Sequence, residues 1–199
     1  MEEKMTTKYL IVIDVQNDFI TGSLRNEEAI RKLPNILKKV RETDVNETMI
    51  LATQDTHGEN YLETLEGQKL PVPHCIYSSW GWQIENELYR LLTEVKPAEV
   101  TNMAKPGTGV GIITKPTFGS LELLDDIYTE VEDTPAEFEI VGYCTDICVV
   151  SNALLLRAKF PEAKITVDAA CCAGVTPELH KAALAVMKSC QIDIINENE

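Results

Sequence analysis

Residues 138–159 read FEIVGYCTDICVVSNALLLRAK, and the periodicity changes halfway along. FEIVGY (138–143) alternates and is apolar, as a strand is. The run from Val149 carries apolar residues at helical spacing, so a helix from about Asp146 to Lys159 follows. Between the two stand Cys144 and Cys148, at the point where a strand breaks into a helix.

The same succession recurs on both sides of this stretch. YLIVIDV (9–15) and TMILATQD (48–55) are nearly continuous apolar runs, the pattern of strands covered on both faces. Helical spacing marks 26–42, with Pro34 as a candidate kink, then 82–95 and 120–131. Short strands are expected at 111–115 and 164–170. A helix opening on Pro177 follows at 176–190, and a last strand at 192–195. Residues 56–80 are irregular and polar. Strands alternating with helices over 199 residues predict a three-layer α/β/α fold with a mostly parallel central sheet, built as a single domain over 1–199.

Composition narrows the partners. Formal net charge is −14, a surface that repels nucleic acid and anionic membrane and leaves a small molecule or a protein as the expected partner. No apolar run reaches the roughly 20 residues of a membrane span. The N-terminus, acidic and then strand-like, makes a poor signal peptide. Six cysteines (Cys75, Cys144, Cys148, Cys171, Cys172, Cys190) without scaffold spacing suit reduced thiols in the cytoplasm.

Open parallel sheets bind ligands at the carboxyl ends of their strands. Those ends carry Asp14, then Asp55 followed by His57, then Lys115, then the Gly142–Cys148 turn. A thiol in the first turn of a helix feels the positive end of the helix dipole and nearby N–H groups, which favour the thiolate and can hold an oxyanion. With Thr145 or Asp146 as the cap, Cys148 falls in that turn as the nucleophile. Cys144 precedes the cap, and its backbone N–H is a second oxyanion donor. A Cys-x-x-x-Cys redox pair is the weaker reading, since redox pairs are usually Cys-x-x-Cys.

Taken together, IVIDVQNDF (11–19), TKPTFGS (114–120) and GYCTDICV (142–149) resemble the isochorismatase-like cysteine hydrolases. DTH (55–57) with LPVPHC (70–75) resembles the nicotinamidase/pyrazinamidase branch of that family. The resemblance spans nearly the whole chain and implies an isochorismatase-like, Rossmann-like fold. It implies Asp14, Lys115 and Cys148 as catalytic triad, a cis peptide at Tyr143–Cys144, and Phe19 lining the pocket for the substrate ring. The implied activity is hydrolysis of nicotinamide and pyrazinamide-like amides to the acid and ammonia through a cysteine thioester. The alternative is a metal-independent cysteine hydrolase of another small amide or carbamoyl compound. Such enzymes often form homo-oligomers.

In Asp55-x-His57 two ligand types stand two residues apart, so both can face one side of an extended segment. His74 joins them from the same loop. Histidine and carboxylate together suit zinc, or iron or manganese. By resemblance Glu66 is a candidate fourth ligand, and the metal holds the pyridine nitrogen. His180 reads as an ordinary helix residue, Cys171–Cys172 as packing after a strand, and GTGVG (107–111) as a turn, because it leads into a strand instead of opening a helix. Lys105 also precedes a proline but ends no strand. Where the family has a Gly-Thr step after the His-Cys pair, this chain has Ser78–Ser79–Trp80, expected to border the metal side of the pocket.

Overall fold

The structure, a computed structural model, describes residues 6–94, 109–131 and 135–198. Lys105, the end of the helix expected over 82–95, and residues 107–108 of the glycine-rich stretch lie outside the described residues. Six strands form one sheet: β1 (Thr7–Ile13), β2 (Thr48–Asp55), β3 (Gly109–Lys115), β4 (Ala136–Tyr143), β5 (Lys164–Ala173) and β6 (Asp193–Ile195). Their spatial order is β3-β2-β1-β4-β5-β6, and all five pairings are parallel. The helices are α1 (Asn17–Ile20), α2 (Glu27–Glu42), α3 (Leu65–Lys69), α4 (Asn86–Glu94), α5 (Leu121–Val131), α6 (Val150–Lys159) and α7 (Pro177–Ser189). They cover the sheet on both faces and divide the core in two. Ile11, Ile13, Phe138 and Ile140 pack on one side; Leu10, Val12, Ile50 and Val141 pack on the other.

Local chemistry accounts for most element ends. Asn26 caps α2, its Oδ1 accepting from Glu28 N at 2.9 Å and Ala29 N at 3.3 Å. Thr176 caps α7, whose first residue is Pro177. The uninterrupted apolar run of β1 is buried on both faces, with Leu10–Ile13 at most 2% exposed. Each such aliphatic side chain contributes about 1.5–3 kcal/mol of transfer free energy.

Two expectations shift. The helix expected from 82 starts at Asn86, because the Trp82 carbonyl is drawn away to accept from Gln16 Nε2 and Gln54 Nε2, both at 2.8 Å. The last sheet positions of β5 include Cys171 and Cys172, which were expected after the strand. Both are buried, so packing is their role.

The strand order reverses between β1 and β4, the switch point at which α/β sheets open a crevice. Gly142 makes the two strands close here. A Cβ on it would lie 2.1 Å from Ile13 O, and its φ is +122°. Only glycine permits both the approach and the backbone angle.

Candidate active site

Asp14 leaves β1 with φ 48°, a left-handed conformation uncommon outside glycine. The Thr53 hydroxyl steadies it, donating to Asp14 Oδ1 at 2.7 Å. Lys115 ends β3 in register with Asp55 at the end of β2. Its ammonium lies 2.7 Å from Asp14 Oδ2, 3.3 Å from Asp55 Oδ1, 2.9 Å from Thr117 O and 3.5 Å from Cys148 Sγ. The Cys148 thiol is also within hydrogen-bonding reach of Asp14. Residues as far apart in sequence as Asp14, Lys115 and Cys148 thus converge on one buried cluster, on the carboxyl edge of the sheet where the sequence placed them.

The turn carrying Cys148 differs from expectation. Thr145–Val149 is a wide, π-type turn entered from Cys144, and no side chain caps it. The Cys144 carbonyl accepts from Ile147 N at 3.1 Å and Val149 N at 3.0 Å. Thr145 and Asp146, expected as caps, bond outward instead: Thr145 Oγ1 to His180 Nδ1, and Asp146 Oδ1 to Val175 N, each at 2.8 Å. The Tyr143–Cys144 peptide is cis, as the resemblance implied.

The electrostatics bear on a second expectation. Burial pushes the Cys148 thiol well above its ordinary range, and Asp14 adds to this while Lys115 opposes it. Burial thus works against the thiolate that a place at a helix start favours. Burial also raises Asp14, against the opposing pull of Lys115. Lys115, although buried, is raised above all by Asp14 and stays charged. Burial pushes Cys144 up to about 12, so its thiol is neutral.

A second cluster adjoins the first. Gln16 pairs with Asp55 as a strand would, accepting from Asp55 N at 2.7 Å and donating to Asp55 O at 2.8 Å. His57 is tied to the returning loop by Cys75 O at 2.9 Å and Tyr77 N at 2.8 Å. His74 Nδ1 lies 2.9 Å from Val72 O. A carbonyl can only accept, so Nδ1 carries a proton, and in a neutral ring Nε2 then keeps its lone pair. One ligand atom each from Asp55, His57 and His74 falls within 4.8 Å of the others, all three residues buried. His57 Nε2 is buried and makes no hydrogen bond of proper geometry, although Asp55 Oδ2 is 3.0 Å away. Three ligand atoms crowding one buried point, with His57 Nε2 left without a hydrogen bond, fit a divalent cation. Glu66 Oε1 stands 3.6 Å from His57 Nε2 and 3.8 Å from His74 Nε2.

Both clusters open into one cleft of about 940 Å³, which Asp55, Glu66, His74, Cys144 and Cys148 line together with Phe19 and Phe118. Phe19 is also a core residue, 7% exposed, with its ring 5.7 Å from that of His74 in an edge contact. Ser78, Ser79 and Trp80, expected beside the pocket, do not line the cleft. Ser78 takes φ 68°, and Trp80 is 58% exposed.

Several supporting residues escaped the sequence reading. Asn152 on α6 is buried. Its Nδ2 donates to Cys148 O at 2.8 Å and Phe118 O at 3.1 Å, and its Oδ1 accepts from Ser120 N at 2.9 Å. It thereby clamps the loop after Lys115 to the Cys148 turn. Asp18 accepts from Ser23 N at 2.9 Å and Cys75 N at 2.8 Å, holding the residue next to His74. Gln16 and Asp18 sit inside the IVIDVQNDF motif, which was a usable signal. Asn152 had none beyond being polar on a helix otherwise rich in leucine.

A model of the isochorismatase domain family matches residues 8–199. No curated protein matches the chain by sequence. Among solved structures, the nicotinamidase from Bacillus subtilis is 25% identical with a TM-score of 0.78, over 95% of this chain and 99% of that one. The pyrazinamidase/nicotinamidase from Streptococcus mutans is 23% identical (TM-score 0.76; 95% and 100% covered). The pyrazinamidase of Pyrococcus horikoshii in complex with zinc is 22% identical (TM-score 0.70; 95% and 98% covered). The latter two likenesses speak for the fold.

Proposed function

We infer the activity from one premise: the chain belongs to the isochorismatase domain family, and it is a hydrolase of that family. Its reaction is hydrolysis of the amide of nicotinamide, or of a pyrazinamide-like analogue, to the carboxylic acid and ammonia. One observation carries this reading. Cys148 of the Asp14–Lys115–Cys148 cluster lines the same cleft as Asp55 and His74 of the Asp55–His57–His74 cluster, and Lys115 Nζ touches both clusters. Likeness to the Bacillus subtilis nicotinamidase supports it.

The chemistry follows from the contacts among Asp14, Lys115 and Cys148. Asp14, made more basic by burial, takes the proton of the Cys148 thiol as the amide arrives. The sulfur attacks the amide carbon, and the Cys144 and Cys148 N–H groups hold the oxygen that becomes negative. When the C–N bond breaks, Asp14 returns its proton to the departing nitrogen, and ammonia leaves. Asp14 then takes a proton from water, the water oxygen displaces sulfur from the thioester, and Cys148 regains a proton. Lys115 remains charged throughout and holds Asp14 in place. Asp55, His57 and His74, with Glu66 beside them, would hold a divalent metal such as zinc, which when bound supplies a grip on the ring nitrogen. Phe19 packs against the ring.

An ammonia-release assay over nicotinamide, pyrazinamide, benzamide and carbamoyl compounds, with metal analysis of the same protein, tests the assignment. Turnover of the pyridine and pyrazine amides by metal-containing protein is expected. Turnover of carbamoyl compounds alone, by metal-free protein, would replace it with the metal-independent reading.

A further inference from the structure

We propose that His180 is a positioning residue for the turn that carries Cys148, acting through Thr145; this rests on the cysteine-hydrolase reading above. Sequence alone makes His180 an ordinary residue of α7. In the structure its Nδ1 lies 2.8 Å from Thr145 Oγ1, and Thr145 is completely buried. Thr145 is the first residue of the Thr145–Val149 turn.

That turn lacks what usually fixes a helix start. A cap side chain normally accepts from the N–H groups of the first turn, and here none does. The two side chains best suited to capping have been turned outward. Thr145 bonds His180, and Asp146 Oδ1 accepts from Val175 N at 2.8 Å. Asn26 Nδ2 then donates to Gly174 O at 2.8 Å, fixing the chain just before Val175. Packing leaves no slack in this contact. A Cβ on Gly174 would meet His180 Cβ and His180 N at 2.8 Å and Asp146 Oδ1 at 2.9 Å. The side chains of Thr145 and Asp146 are therefore held by α7 and the segment before it, in addition to the turn's own backbone bonds and the Asn152 contact to Cys148 O.

The protonation state of His180 suits a fixed, neutral bond. Burial and the nearby Lys32 lower its pKa, while Asp146, Glu28 and Glu197 pull the other way. A neutral ring leaves one nitrogen as donor and one as acceptor, and Thr145 can complement either tautomer at Nδ1. His180 touches no reacting atom. Its effect is on where Cys148 Sγ stands relative to the amide carbon, and a misplacement of about 1 Å costs roughly 100-fold in rate.

The variants are His180→Ala, Thr145→Val and the double variant. His180→Asn serves as rescue, since its amide places a polar atom near the position of Nδ1. With nicotinamide, kcat is expected to fall roughly 10- to 100-fold in His180→Ala, with KM within about threefold and metal content unchanged. Thr145→Val, which keeps shape but loses the hydroxyl, should reproduce the loss. The double variant should be no worse than either single one, and His180→Asn should recover most of the rate. Parent-like kcat in His180→Ala, an additive double variant, or equal loss in His180→Ala and His180→Asn each overturns the proposal. If His180→Ala fails to fold, Thr145→Val and His180→Asn still decide the matter by the same criteria. If the parent hydrolyses no amide, the assigned function fails separately, and the readout becomes the rate at which iodoacetamide modifies Cys148, located by peptide mass. That rate should change alike in His180→Ala and Thr145→Val and return in His180→Asn; a rate unchanged in both overturns the positioning role.

Discussion

Lys115 Nζ and Asp14 Oδ2 stand 2.7 Å apart with both side chains wholly shielded from solvent. They come from the ends of β3 and β1, which are separated in the sheet by β2. A buried charge without its partner is costly, so each of these residues makes the other tolerable. Lys115→Met should lose nearly all ammonia release and should lower stability by about 3–5 kcal/mol, because it strands Asp14 in the core. The Lys115→Met/Asp14→Asn double variant should regain much of that stability and none of the activity. Denaturant unfolding beside the assay separates the two effects. A double variant as unstable as Lys115→Met would show that the charge pair is not what the core depends on.

Cys148→Ala should reduce turnover at least 1000-fold, the scale expected when a covalent nucleophile is removed, with metal content and thermal midpoint close to the parent. Cys144→Ala should keep substantial activity, since only its backbone N–H is invoked and its own thiol is held neutral by burial. Mass spectrometry of quenched turnover mixtures should find an acyl adduct on Cys148 and none on Cys144.

His57→Ala and His74→Ala should each lose bound metal and raise the KM for nicotinamide strongly, with a smaller fall in kcat from lost orientation. Benzamide lacks the ring nitrogen. It should be a poor substrate of the parent and change little in the variants. If both substrates instead drop together by several orders of magnitude while Cys148→Ala stays active, the enzyme uses metal-activated water, and the thioester route is wrong.

Away from the site, Lys39 links α2 to the sheet through Asp168 Oδ2 at 2.7 Å and also contacts Glu139. Burial pushes the Asp168 carboxyl up, but Lys39, Asn196 and the Ala170 N–H together outweigh it and hold the carboxyl below its usual range. A depressed carboxyl stabilises the fold above its unfolded value of about 3.9, and that stabilisation is lost as pH falls through the folded value. Lys39 is shifted the other way: burial lowers it, Asp168 and Glu139 raise it further. Its contribution is present below about pH 10.4 and is lost as pH rises above that. The stability difference between the parent and Asp168→Asn should therefore be flat from about pH 5 to 9 and shrink below about pH 4. Thermal midpoints across that range check it, and parallel curves down to pH 3 would exclude the pair as the source.

How much was legible in the sequence depends on the kind of residue. Asp14, Asp55 and Lys115 could be found because buried parallel strands are written as apolar runs, and a charge at the end of such a run marks the sheet edge. His57 and His74 stood out because they share one loop in a chain with three histidines. Asn152 and His180 could not be found. A polar residue on a helix has the same spelling whether it faces water or clamps a neighbouring loop. Only the packing of α6 and α7 against the Cys148 turn separates the two cases.

The same division holds for the chemistry. The sequence by itself determined the alternating elements, the sheet edge that bears the reactive groups, and which thiol stands at the start of a helix, because periodicity and turn residues are local properties of the chain. Tertiary structure decided that β1 and β4 lie side by side, that Thr145 and Asp146 bond away from the turn instead of capping it, and that burial works against a Cys148 thiolate. Those outcomes depend on neighbours distant in sequence. Burial and Asp14 raise the Cys148 thiol while Lys115 opposes them, and the free energy of a charge depends on everything around it once water has been removed.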